Sequence, residues 1–466
     1  VSFSFLPFAH ALASRQDLPV PAWLFAWAAS IVLIVSFFAL SVAWRAPRFE
    51  EERWRPLGAW LSRVLLGLPA QIVFGAIGVF LLAVAVYSGL KGTEAPDRNF
   101  ALTFIFVTCW LGFPLFSVLI GNVYPPFNPW RAVARVVGGT FSAIAGQRPA
   151  HLRYPEPIGR WPAAIGLMAF VWLEVIYGGS GGVAVGLNPQ VTGVAILVYS
   201  VYTLAMMGLF GVEEWCARGE IFSVYFGMLS QLGSFGVKDG RIGVRKPFSA
   251  SIHWATIPGS AAVVIASIAS TTFDGAQEGA YKGGIEWLFE RLTDIGLSGL
   301  TAIRVTDTIF MVLSFLGVGL VYLIGVRGMA SVEGAPPIDR LRKGFIHTLI
   351  PIAFAYLVAH YFSLFVFQEQ AQFTYLLSDP LGTATTNLFG TASGGINFRV
   401  LTANDIWYVQ VAVLVLGHVL GLTLAHDRAT AFWGDYRQAA RSQYWMLAVM
   451  VAFTCFGLYL LSVANG

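Results

Sequence analysis

The chain has 466 residues, 56% of them hydrophobic and only 12% charged, with a net charge of +4 and three cysteines. A soluble domain carries about 25% charged residues, so this composition excludes a water-covered globular core and requires lipid as the covering solvent. The small positive balance implies no nucleic-acid partner, because 22 of the 29 Lys and Arg residues fall in five segments, 45–63, 131–160, 218–246, 327–343 and 428–441, that alternate with apolar stretches.

Cytoplasmic loops collect Lys and Arg because positive side chains resist translocation, which makes those five segments cytoplasmic. A spanning helix needs about 20 mostly apolar residues. Ten stretches approach that length: 23–44, 64–89, 100–121, 161–178, 191–211, 257–272, 308–326, 345–367, 405–426 and 444–462. Ten crossings that start outside return the C-terminus to the outside, and every Arg-rich connection then lands on one side. The predicted fold is all-α, a polytopic transmembrane helix bundle with cytoplasmic interfacial helices, as a single membrane domain over 19–466. The stretches 161–178 and 257–272 are the weakest of the ten, being short and bordered by glycine.

Taken in chain order, Val1–Ala13 is a short apolar run ending in small residues. A signal remnant without its positive n-region and a membrane-surface segment both fit 1–18. The cytoplasmic loop 122–160 opens on a proline-broken turn and then Trp130 and Arg131, and 212–256 carries Trp215 and Arg218; after the ninth span comes Trp433. Each is read as the start of a helix lying in the interface plane with its tryptophan at headgroup depth. The outer connections 271–307 and 368–404 are long enough to lid a vestibule. Cys109, Cys216 and Cys455 show neither disulfide nor zinc spacing.

Ionisable groups inside apolar spans are costly and tend to face a bundle interior or a watered cavity. Four stand out: Glu174 in the fourth span, Asp274 at the outer mouth of the sixth, His360 in the eighth and His418 in the ninth. They are expected to converge on an outward-facing cavity, as ligand or metal candidates. Tyr356 and Ser363 share the helical face of His360, and Tyr361 adjoins it. Snorkelling competes for Glu174, and packing competes for His418 because Gly417 and Gly421 flank it.

His347, His426 and Asp427 border the cytoplasmic side and form a second candidate group. Two haems are disfavoured: at 1.5 Å per residue His360 stands roughly 20 Å from His347, whereas His418 stands only about 12 Å from His426, so the ladders do not match in depth. A single metal ion stays open, although imidazole sites need a third or fourth ligand that the spacing does not supply.

Several strings resemble one bacterial family: Asp17-Leu-Pro-Val-Pro-Ala-Trp-Leu-Phe, Arg218-Gly-Glu-Ile-Phe-Ser-Val-Tyr-Phe-Gly, Phe273-Asp-Gly, Ala359-His-Tyr-Phe-Ser-Leu and Gly417-His-Val-Leu-Gly-Leu-Thr-Leu-Ala-His-Asp. Together with the Glu174 segment they are similar to the multi-spanning membrane proteins labelled fenitrothion hydrolase. The resemblance runs over nearly the whole chain. It implies a bacterial inner-membrane protein, other membrane or periplasmic subunits as partners, and hydrolysis of an organophosphorus ester. His10 departs from the family pattern, since Ala11 follows it where members carry glycine. Of the usual hydrolase motifs, His-Glu-x-x-His does not occur. Catalysis therefore stays open beside two alternatives: a carrier for a small solute, and an accessory subunit of a respiratory or photosynthetic assembly.

Overall fold

The computed structural model describes residues 22–50, 53–178, 188–277 and 279–464. The signal-like stretch, with the rest of 1–18, lies outside the described residues. Eight described helices are long and apolar enough to cross a membrane, and shorter apolar helices occupy the two weakest predicted spans. In chain order the ten are α1 (Ala22–Ala43), α2 (Leu68–Lys91), α3 (Phe100–Ile120), α4 (Trp161–Tyr177), α5 (Pro189–Phe210), α6 (Ser260–Ala276), α7 (Gly299–Ala330), α8 (Ile350–Ala371), α9 (Ala403–Trp433) and α10 (Tyr436–Ala464). The protein is an all-α polytopic membrane bundle. Trp27 and Val35 on α1, Ile72 and Phe80 on α2, and Val198 and Val201 on α5 are exposed on its flanks, a surface that the bilayer covers.

The helix ends follow local chemistry. Asn188 caps α5 by accepting the amides of Gln190 and Val191, and a capping box of Thr402 and Asp405 starts α9. Gly121 ends α3 at φ +93°, where a side chain would be strained and would crowd Phe235.

α6 is short because it is an interior helix. Nearly all its residues are buried, packed on α4, α7, α8 and α10. Its Ser and Ala content lets those neighbours approach, and Ser267, Ser270 and Thr271 return their hydroxyls to carbonyls three residues back. The same logic joins α8 to α9: a Cβ on Gly417 would collide with Ala355, and one on Gly421 would lie 2.8 Å from the Thr348 carbonyl.

The five Arg-rich segments interlock on one face. Arg55–Pro56 (β1), Phe235–Lys238 (β2) and Arg241–Val244 (β3) form an antiparallel sheet in the order β1-β3-β2, closed by a tight turn at Asp239 and Gly240, both with positive φ. The Arg160 guanidinium donates to the Ala255 carbonyl at 2.6 Å and stacks 4.0 Å from the centre of the Trp254 ring. Burial, with the nearby Arg218 charge, holds it down at about 10.

The tryptophans read as leading interfacial helices pack against the protein itself. Trp130, Trp215 and Trp433 are all buried in the protein. Trp130 donates its indole N–H to Ser200 and Trp215 donates to Thr203, both on α5, at 2.8 Å. The flanking helix Pro129–Ala145 does expose Val136, Val137 and Ile144, as an interfacial helix would. The helix Ile221–Leu229 instead turns inward, with Tyr225, Phe226, Met228 and Leu229 buried. Glu220 caps it from a fully buried position, accepting from the Tyr199 hydroxyl at 2.7 Å, the Ser223 amide at 2.8 Å and the Asn128 amide group at 3.1 Å.

Candidate functional site

The eighth span carries the centre of the site. His360 falls near the middle of α8, and its Nε2 lies 2.7 Å from Asp274 Oδ2 at the end of α6. The neighbouring Tyr361 hydroxyl donates to the same oxygen at 2.9 Å. The two donor rings meet edge to face at 4.6 Å. With His360 11% and Asp274 10% exposed at the side chain, the pair is enclosed but retains an opening.

Glu174 approaches from α4, in a π-helical stretch, Trp172–Tyr177. An extra residue in the turn rotates side chains out of α-helical phase, a device frequent at functional sites. The stretch is fastened to α7 on both sides: Trp172 donates its indole N–H to Thr308 at 2.8 Å, and Arg304 donates to the Tyr177 carbonyl at 3.3 Å. Glu174 lies within electrostatic range of Asp274 and Tyr361. Its Oε2 is buried with no hydrogen-bond partner among the described residues.

The structure thus brings Asp274, His360 and Tyr361 into contact, with Glu174 on α4 near enough to feel their charge. It places the remaining candidates of that group elsewhere. His418 donates Nδ1–H to the Leu414 carbonyl of its own helix at 2.9 Å, leaving Nε2 buried and unpartnered. Tyr356 packs 5.9 Å from the His418 ring, but its hydroxyl donates to the Phe453 carbonyl of α10. Ser363 makes no side-chain hydrogen bond among the described residues.

Sequence reasoning missed one neighbour. Glu369, nine residues and about 13 Å beyond His360 along α8, accepts from Thr108 at 3.0 Å. Thr108 sits in a second π-helical stretch, Phe104–Gly112. Glu369 was legible as an acid at the end of an apolar run, but the reading of the run stopped at 367.

The second candidate group, on the Arg-rich face, mostly serves the backbone. Asp427 accepts the Trp44 indole N–H at 2.8 Å and the amides of Arg48 at 2.6 Å and Phe49 at 3.2 Å. His426 donates to the Trp44 carbonyl at 3.0 Å, and His347 to the Trp254 carbonyl at 2.7 Å. Among the described residues, no three or more His, Cys, Asp and Glu side chains stand arranged to hold a metal ion. No family model matches the chain, and neither does any curated protein or solved structure.

Proposed function

We propose that this integral membrane protein is built around an intramembrane proton-exchange site that binds a small polar ligand, with Asp274 as the central acceptor, His360 and Tyr361 as its donors and Glu174 as the second acid. One observation carries the reading: a carboxylate that takes both an imidazole and a phenol beside a second carboxyl oxygen with no partner among the described residues. Burying two acids in an apolar belt is expensive, so such groups mark proton or substrate pathways more often than fastenings. A proton or a ligand with donor groups supplies what the Glu174 oxygen lacks. If the Arg-rich face is cytoplasmic, as the positive-inside rule has it, the cluster serves the opposite side of an inner membrane.

Infrared difference spectra of the protein in nanodiscs, titrated between about pH 4 and 9, test this without knowledge of the ligand. A carboxyl band that titrates in the wild type and disappears in Asp274→Asn or Glu174→Gln is expected. Identical spectra in all three proteins would remove the proposal.

Ester hydrolysis is a second reading, favoured by the Asp274–His360 hydrogen bond, because a carboxylate-held imidazole can take a proton from water. An aryl phosphorothioate ester is the substrate to assay, as the family resemblance implies. Phenol release that survives His360→Gln would place any such activity at another site.

A further inference from the structure

We propose that the cleft on the Arg-rich face between segments 252–256, 337–344 and 428–432 binds a phosphate group, carried by an anionic lipid headgroup or by a free small molecule. The cleft measures about 690 Å³ and is lined by Trp254, Arg340, Lys343, Arg428 and Phe432 among others. Two acids also line it, and both are already paired: Asp339 with Arg342 at 3.0 Å, and Glu50 with Arg428 at 2.5 Å. Arg340 and Lys343 have no acidic partner among the described residues, so the described lining carries more positive than negative charge.

Its cations are also pre-set. The Arg340 and Arg428 guanidinium groups lie 5.2 and 4.6 Å from the centre of one ring, that of Phe432. A stacked guanidinium loses less freedom when it takes an anion, and its planar fork matches phosphate oxygens. Arg428 Nε is buried and has no acceptor among the described residues. Gly344 lies beside it, where even an added Cβ would stand 3.6 Å from that nitrogen and would collide with Phe432. The position adds to the case, because basic pockets between membrane helices on the Lys- and Arg-rich side meet anionic headgroups.

The test uses the full chain in detergent, with two probes. Native mass spectrometry counts cardiolipin bound in competition with phosphatidylcholine, and thermal unfolding is followed with added inorganic phosphate. Arg340 and Lys343 are exposed, so Arg340→Gln with Lys343→Gln leaves the fold intact; Arg437→Gln, an exposed cation of the same face outside the cleft, is the control. Each charge removed is expected to weaken binding about fivefold, equivalent to about 1 kcal/mol, and the pair about 25-fold. Loss of cardiolipin alone identifies a headgroup site, and loss of phosphate stabilisation identifies a site for the free anion. Either probe's binding must fall in the double variant and persist in the control. Equal binding in all three proteins, or no binding of either probe to the wild type, overturns the proposal.

Discussion

Two histidine–aspartate groups sit at different levels of this bundle, and they use their valences in opposite ways. Around Asp427, His426 and His347 almost every bond runs to main chain, tying the 44–49 segment to α9 and the Trp254 carbonyl to the start of α8. Around Asp274 the bonds to His360 and Tyr361 run between side chains, and one acid oxygen nearby has no partner among the described residues. A carboxylate committed to backbone amides cannot let go without loosening the chain, whereas one committed to an imidazole and a phenol can change partners while the helices stay in place. Residue type alone does not separate a fastening from a working site; the partners do.

The largest effect expected from this contrast is on stability. Asp427→Ala strips the acceptor from an indole N–H and two amides at once, and charge-assisted bonds of this kind contribute about 1.5–3 kcal/mol each. A loss of about 3–5 kcal/mol is expected, at the low end of their sum because the freed donors regain part of it from water, and close to that for breaking a buried ion pair. Reversible unfolding in mixed micelles titrated with SDS would measure it. A loss below about 1 kcal/mol would mean that the segment is held by something else.

The opposite pattern is expected at Asp274 and His360. His360→Gln keeps a donor near the carboxylate and should cost about 1 kcal/mol, the net worth of an ordinary hydrogen bond, while removing the group that exchanges the proton. Infrared titration should therefore change more than the unfolding midpoint does. A fall in stability as large as that for Asp427→Ala, with the titrating band intact, would make this cluster a second fastening.

His418 separates the two groups further. Its Nε2 lone pair is buried without a donor among the described residues, so His418→Leu removes an unsatisfied acceptor at similar volume. Stability within about 1 kcal/mol of the wild type is expected, together with an unchanged carboxyl titration. Loss of that titration would extend the site to α9.

Much of this arrangement is legible in the sequence, and the part that is not has identifiable causes. The long spans announce themselves because lipid demands continuous apolar residues. α6 is harder to read because its neighbours are protein: Ser260-Ala-Ala-Val-Val-Ile-Ala-Ser-Ile-Ala-Ser trades hydropathy for close approach. The intramembrane Glu174, Asp274 and His360 stand out by charge alone. Their separation from His418 does not, because helix rotation about its own axis is set by packing, and π-helical turns such as Trp172–Tyr177 shift the phase that 3.6-residue counting assumes. The inward turn of Ile221–Leu229 was concealed by Arg218, whose charge suggested an interfacial helix; the signal against that was Glu220, which caps a helix only when amides are there to meet it. The Asp239-Gly240 hairpin carried a recognisable turn pair between alternating residues, overlooked beside so much helix.

The smallest effect sharpens what holds the Arg-rich face together. Glu213 receives Arg131 and Arg135, each at 2.7 Å, with its side chain 61% exposed. Burial alone would raise its carboxyl, but the hydrogen bonds and charges of the two arginines outweigh it and hold the group below its ordinary value of 4.5. A carboxyl depressed in the folded state contributes stability that is complete above its unfolded value and is lost as pH falls through the lower folded one. The acid limb of the stability profile should therefore be shallower in Glu213→Gln, with wild type and variant converging once the carboxyl is protonated. Because the pair is exposed and screened by salt, its worth at neutral pH is at most about 1 kcal/mol, well under the value expected for Asp427. Unfolding midpoints measured from about pH 3 to 7 would show which of the two carries the face, and equal losses at pH 7 would mean that surface ion pairs, rather than the carboxylate-to-backbone clamp, keep these segments in register.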